Sequence, residues 1–420
     1  MATLTARLTR CAVALGLLLT AVACGSGPPS DRLTVMVPWS GSEFRAFYSV
    51  IRSFEKDSGI KVDVLVTRAQ TQQLDAAVAA GAPPDLAVLP SVGALNRFVR
   101  DRSLRRLDAA ITADYAQPFR GLGIVRNKVY AVPVKADVKS LIWYNPEVTP
   151  KPPPNTLPAL QALSRERPET WCLGLASGPT SGWPGADWIA DILLSQSGTD
   201  TYKGWLSGDP DWDSPEVAAA WTAWRSIVAE SAEKAPERKF GDAAGGMTAK
   251  SPTCALAHGT LSAMGFPSSA VAGAAYDYVT SAPEPTRRLE VSADFVGRFT
   301  ENPSGTALIT YLSGAKAQQA WVNQPGSYGL SAHGRVKHSE YKNTVQQRIA
   351  KMLEPGSGYT LCFSAADAMT PDLSAAFYRA VLDYTADESP LRSLLEGLDK
   401  VQSDSGKSPV RPNSLCAPAT

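Results

Sequence analysis

The 420-residue chain lacks a dominant charge, with 41 Lys and Arg against 40 Asp and Glu. A nucleic-acid binder carries a basic excess, so no nucleic-acid partner is expected. Histidine is scarce: only His258, His333 and His338 are present. The five-residue step from His333 to His338, interrupted by Gly334, suits no metal pair on one helix face. No Cys-x-x-Cys spacing occurs, which removes the usual zinc and redox motifs. Gly241 to Ser251 holds glycines and a Lys-Ser but not the Gly-Lys pairing of a phosphate loop. Gly178-Pro179-Thr180-Ser181-Gly182 is not a nucleophile elbow. No internal repeat is visible, and after the N-terminal segment no apolar run is long enough to span a bilayer. No cofactor, metal or catalytic residue is expected. A glycosidase is the enzyme rival, because it too needs aromatic residues and two carboxylates.

What is present fits a globular chain of two packed domains. Hydrophobic residues make up 44% and charged residues 19%, an ordinary balance. Ten Trp residues are many for this length. Most suit a core, but Trp also suits the apolar face of a sugar ring.

The N-terminus reads as an export signal over residues 1–23. Arg7 and Arg10 supply its positive region. The apolar run from Cys11 to Ala23 is too short to cross a membrane comfortably. Its end, Ala21-Val22-Ala23-Cys24-Gly25, resembles a bacterial lipobox. That resemblance implies a lipid on Cys24, a tether over 24–32 and an extracytoplasmic chain held at the cell membrane. Simple cleavage after Ala23 is the other reading. Four Cys remain, and in an exported chain they suggest two disulfides with three possible connectivities.

Along the mature chain the pattern alternates. Leu33 to Pro38 reads as a buried strand. Ser40-Gly41-Ser42-Glu43 looks like a capping box opening a helix with Phe44, Phe47, Tyr48, Ile51 and Phe54 at helical spacing. Gly59 ends it. Lys61 to Val66 and Asp85 to Pro90 read as further strands around a short helix near Leu74. This is the opening of a parallel α/β domain, whose ligands sit beyond the strands' carboxyl ends. Val129–Val134 and Leu141–Tyr144 read as strands flanking a turn at Lys135-Ala136-Asp137, and Trp171–Leu175 reads as another strand.

These segments resemble the extracellular solute-binding proteins of carbohydrate ABC transporters, particularly the α-glucoside-binding type. The likeness covers nearly the whole mature chain. Its main pieces are Pro84 to Pro90, Lys135 to Pro146, the Trp171–Asp191 block around Ser181-Gly182-Trp183-Pro184, Phe240 to Ala244, and Ser364 to Pro371. One departure is Pro90-Ser91-Val92-Gly93, where the family often has Pro-Gln-Pro-Gly; this leaves the exact sugar open. The resemblance implies an α/β, two-lobed periplasmic-binding-protein-like fold with a hinge. It implies a monomer that delivers a neutral sugar or small oligosaccharide to ABC permease subunits. The N-terminal lobe is expected over 31–137 and 291–333, the C-terminal lobe over 138–290 and 334–420. Disulfides Cys172–Cys254 and Cys362–Cys416 are expected, the first within one lobe, the second stapling the tail. The alternative ligand is another polar solute, such as a glycerol-phosphate ester, which would favour Lys135 or helix N-termini.

A sugar needs aromatic platforms and polar groups that pair hydroxyls. Trp39 and Trp183 are platform candidates, each evenly weighed against a place in the core; Trp188 suits the core better. Lys135 and Asp137 suit hydroxyl binding from a strand-end loop, or form only a surface ion pair. Asp187 binds hydroxyls or caps its helix. Glu43 suits the capping box more than a ligand. Ser91, Asp242 and Tyr328 complete the candidate set.

Overall fold

The computed structural model describes residues 32–281, 287–387, 390–405, 410 and 412–419. The expected signal segment, Cys24 and all but the last residue of the tether lie outside the described residues. Among the described residues, no helix is long and apolar enough to cross a membrane.

The N-terminal α/β segment follows its hydrophobic pattern. Strand β1 (Arg32–Val37) pairs in parallel with β2 (Lys61–Val66) and β3 (Leu86–Leu89). Every residue of β3 is apolar and buried, as expected of a strand covered on both faces. Helix α1 (Gly41–Ser58) buries Phe47, Val50, Ile51 and Phe54 along one side. Gly59, at φ 76°, ends it in the left-handed region and donates its N–H to Glu55 O. Helix α2 (Gln70–Ala79) precedes β3, and α3 (Val92–Arg100) follows it.

A short hairpin, β4 (Ile124–Val125) and β5 (Lys128–Val129), leads into β6 (Ala131–Val138). Next comes β7 (Leu141–Tyr144), which lies between β8 (Leu256–His258) and β9 (Asp277–Thr280) in a three-stranded sheet. The eleven-residue β10 (Arg288–Arg298) ties the architecture together. Its C-terminal half runs antiparallel to β3, while its first residues run parallel to β11 (Thr360–Phe363). Beyond β11 lies β12 (Cys416–Pro418). Strand β6 pairs with β10 from Val138 to Ala131. The β6–β10 ribbon therefore links the β1–β3 unit to the unit built on β7–β9 and the helices Trp183–Leu206 and Pro215–Val228. Cys172 bonds to Cys254, and Cys362 bonds to Cys416 across the β11–β12 pair.

Three local expectations need correction. Lys135-Ala136-Asp137 is not a turn but the interior of β6. Its two charges share one face of the strand and pair with each other, and Glu43 and the distant β10 residue Asp294 add further acids around Lys135. Trp171–Leu175 is extended but forms no strand. Its backbone bonds go to different segments, Cys172 N–H to Leu256 O and Leu175 N–H to Ala235 O, so no ladder builds up. The capping box at α1 does not form: Ser40 makes no side-chain cap and instead accepts from Arg68 at 2.9 Å, while Glu43 pairs with Lys135.

Candidate ligand-binding site

The site begins with the pleat of β6. Side chains at i and i+2 of a strand share one face, so Lys135 and Asp137 point the same way, and Lys139 follows directly after the strand ends at Val138. The antiparallel register sets Asp294 opposite Lys135 and Ser292 opposite Asp137, and Lys139 N–H donates to Glu290 O at 2.8 Å. The ribbon thus carries charge through the middle of the molecule.

At one end, Lys135 Nζ lies 2.7 Å from Glu43 Oε1, 2.8 Å from Asp137 Oδ2 and 3.6 Å from Asp294 Oδ2. It also donates to Ser262 Oγ at 3.3 Å, and Ser262 Oγ donates to Asp137 Oδ1 at 2.8 Å. Trp39 Nε1 donates to Asp294 Oδ2 at 2.9 Å. Burial alone would lower the Lys135 pKa, but Asp137, Glu43 and Asp294 outweigh it and hold the ammonium well above its ordinary value. Burial pushes Asp294 up to about 6, against Lys135, because Glu43 and Asp137 add like charge. One ammonium is shared by three carboxylates, and Asp294 is the farthest of them. Nζ has three protons, and its near partners occupy them. The carboxylates keep free lone pairs.

Farther along the ribbon, Lys139 Nζ lies 2.8 Å from Asp187 Oδ2 and 3.1 Å from Asp367 Oδ2, and donates to Ser364 Oγ at 2.9 Å. Burial raises Asp187 to about 6 despite Lys139. Glu290 is fully buried, and burial beside Asp187 drives its pKa well upward. Asp191 accepts from the hydroxyls of Ser140 and Ser281 and lies 3.0 Å from His258 Nε2.

An aromatic wall adjoins Asp187. Gly182 sits at φ 102°, and a Cβ there would lie 2.1 Å from Tyr378 O, so only glycine allows this entry into the helix that starts at Trp183. Trp183 is half-buried and meets Phe240 edge to face at 5.1 Å. Trp183, Asp187, Trp188, Phe240, His258 and Met264 line one pocket. Trp188 is 2% exposed and stacks on His258 at 4.6 Å, which gives it the core role expected.

The structure gathers some of the candidate residues and separates others. Glu43, Lys135 and Asp137 meet in one cluster, and Gly329 packs against the Lys135 stem, whereas Tyr328 meets Tyr276 edge to face at 6.4 Å. Trp183 and Asp187 share the pocket. Trp39 is not a free platform: it is 3% exposed, wedged against Phe47 at 5.0 Å and Trp321 at 4.9 Å. Ser91 caps α3 through Ala94 N–H and donates to Asp367 O, so its hydroxyl is taken by structure. Asp242 lines a different depression, with Glu169, Lys234 and Arg238. Reading the sequence missed Lys139, Asp294, Ser262, Asp367 and Phe240. None of them had a local signal, since the Lys135-Ala136-Asp137 segment reads as a turn and the partners join through distant pairing.

Comparison with known proteins agrees with this architecture. The family described as bacterial extracellular solute-binding protein matches residues 49–351. The α-glucosides-binding periplasmic protein AglE of Rhizobium meliloti (strain 1021) is 27% identical over 389 residues, covering 85% of this chain and 84% of AglE. The osmoprotective compounds-binding protein GgtB of Synechocystis sp. (strain ATCC 27184 / PCC 6803 / Kazusa) is 26% identical, covering 90% of this chain and 94% of GgtB. The bacterial solute receptor AcbH, described as preferring β-D-galactopyranose, superposes with a TM-score of 0.75 at 17% identity, over 89% of this chain and 98% of its own. Maltose-bound MalE3 of T. maritima gives 0.70 at 14% identity, over 89% and 100%. A mixed α/β fold shared with these receptors, and a family match over most of the chain, lead to one conclusion: this chain belongs to the bacterial extracellular solute-binding proteins.

Proposed function

We propose that the protein is the substrate-binding component of an ABC importer, capturing a neutral sugar or small oligosaccharide between its lobes and delivering it to permease subunits. The name of AglE makes an α-glucoside the first ligand class to test. The observation that carries this reading is the charge at the cleft: Glu43, Asp137 and Asp294 surround a single ammonium whose protons are already engaged. Such a floor accepts hydrogen bonds from hydroxyls and repels anions. That favours a neutral polyol over a glycerol-phosphate ester. Trp183 and Phe240 supply the apolar face that a sugar ring needs. In this reading Trp183 stacks on the ring, while Asp137, Glu43 and Asp187 accept from hydroxyls. The chain acts as a carrier rather than a glycosidase.

The lobes are assigned as 31–137 with 291–333, and 138–290 with 334–420. Two of the three crossings of this boundary, at 137/138 and 290/291, fall within or at the end of the β6–β10 ribbon, which suits a hinge, while the third, at 333/334, lies outside it. Strands β11 and β12 belong to the second lobe by this division yet extend the same sheet as β1–β3. The N-terminal sequence supports a lipid on Cys24 that holds a monomer at the outer face of the membrane; mass spectrometry of the native N-terminus should find a lipidated Cys24, and an unmodified Cys24 would refute the anchor.

A thermal-shift series tests the ligand class. Maltose, trehalose and D-galactose should include at least one that raises the melting temperature, since ligand at a hundred times its Kd adds about 2.7 kcal/mol. A shift with glycerol 3-phosphate alone would overturn the neutral-sugar reading. Hydrolysis of the sugar on incubation would revive the glycosidase.

A further inference from the structure

We infer that Arg68 and Phe240 form a cross-lobe latch that holds the cleft closed over Trp183. The two residues come from different lobes: Arg68 follows β2, and Phe240 opens the short helix Phe240–Ala243. The Arg68 guanidinium carbon lies 5.4 Å from the centroid of the Phe240 ring, within cation–π range. Phe240 in turn contacts Trp183 edge to face. The three side chains therefore form a row from one lobe to the platform of the other.

Each half of the latch has its own mount. Arg68 donates from Nη2 to Ser40 Oγ at 2.9 Å, and the loop before it is pinned by Thr67 N–H to Val37 O at 3.1 Å. Ser40 immediately follows Trp39, whose indole is fixed to Asp294. On the other side, the backbone around Phe240 is clamped by two glycines. A Cβ on Gly265 would lie 1.9 Å from Gly241 O, and one on Gly174 would lie 2.7 Å from Lys239 O. Phe240 N–H also donates to Ala176 O at 3.2 Å. Close backbone approach on both sides of Phe240 fixes where its ring points. Arg68 itself is exposed, so it adds little to either lobe's core. Its contact with Phe240 exists only when the lobes are together. A group of that kind shifts the open–closed equilibrium, and through it the apparent affinity for any ligand that needs the closed form.

The test compares the wild-type mature chain with Arg68→Ala, Arg68→Lys and Phe240→Leu. Small-angle scattering without added ligand reads lobe closure directly and does not depend on the sugar assignment. Arg68→Ala and Phe240→Leu should each increase the radius of gyration. Arg68→Lys, which keeps a cation over the ring, should stay closer to wild type, and the Arg68→Ala/Phe240→Leu double variant should expand no more than either single one. Denaturation midpoints of Arg68→Ala should match wild type, separating closure from folding. The second arm rests on the proposed sugar function: with maltose as probe, Arg68→Ala should weaken binding about two- to five-fold, the range for an exposed cation–π contact. Identical scattering for Arg68→Ala and wild type would overturn the latch, whether or not maltose binds. If Phe240→Leu fails to fold, Arg68→Ala decides alone.

Discussion

Replacing Asp294 with Asn should stabilise this protein at neutral pH, although the residue stands beside a lysine. Burial comes first among the causes that raise Asp294 to about 6, and the negative charges of Glu43 and Asp137 add to it against Lys135. An ordinary Asp titrates near 3.9. Between about pH 4 and 6 the folded state therefore holds a proton that the unfolded state has lost, so stability falls as pH rises through this window. Holding the carboxyl at about 6 instead of near 3.9 corresponds to ~3 kcal/mol of ionisation cost above pH 6. Asn keeps the shape and an oxygen to accept the Trp39 N–H, and Lys135 keeps Glu43 and Asp137 at 2.7 and 2.8 Å. Asp294→Asn should therefore gain about 1–3 kcal/mol at pH 7.5 and nothing near pH 4. Urea denaturation of both proteins at a series of pH values from 4 to 7.5 gives the difference directly. Parallel pH profiles, or a less stable variant at pH 7.5, would show that Asp294 ionises at no cost and that the charge account of the cluster is wrong.

Two further substitutions probe the supports of the site. Lys139→Met should destabilise the protein by roughly 3–5 kcal/mol in denaturant titration, because it removes the cation paired with Asp187 and Asp367 and leaves buried Asp187 without it; a neutral result would mean that Lys139 does not offset that buried charge. Gly265→Ala, at φ 63° and with its Cβ 1.9 Å from Gly241 O, should cost about 1–3 kcal/mol. It should also quench or shift Trp183 fluorescence by moving Phe240, and an unaltered emission spectrum would contradict the proposed mount.

Local pattern made much of the fold legible. The β1–α1–β2–α2–β3 opening follows from apolar runs and the Gly59 stop, with boundaries only a residue or a few from those observed. The ribbon did not. Lys135-Ala136-Asp137 reads as a turn because charges interrupt an apolar run, and nothing nearby reveals that Asp294 will lie opposite Lys135. Trp39 shows the same limit: an aromatic residue after a strand suits a platform or a core, and only the packing of Phe47 and Trp321 decides. Glu43 fits a capping box by spacing, yet its stronger partner is a lysine 92 positions later in the chain. Trp183 and Asp187 were readable because the Gly182-Trp183-Pro184 entry and the first helical turn place them together within five residues. Phe240, which completes that wall, comes from a separate segment.

The most direct test is titration calorimetry of the mature protein with the neutral sugar that gives the largest thermal shift, repeated on Trp183→Ala after circular dichroism confirms its fold. Stacking on a flat aromatic ring contributes about 1–3 kcal/mol, so the variant should bind roughly 5- to 150-fold more weakly while the wild type binds without hydrolysing the sugar. Unchanged affinity in a folded Trp183→Ala protein would remove this wall from the binding site and contradict the account.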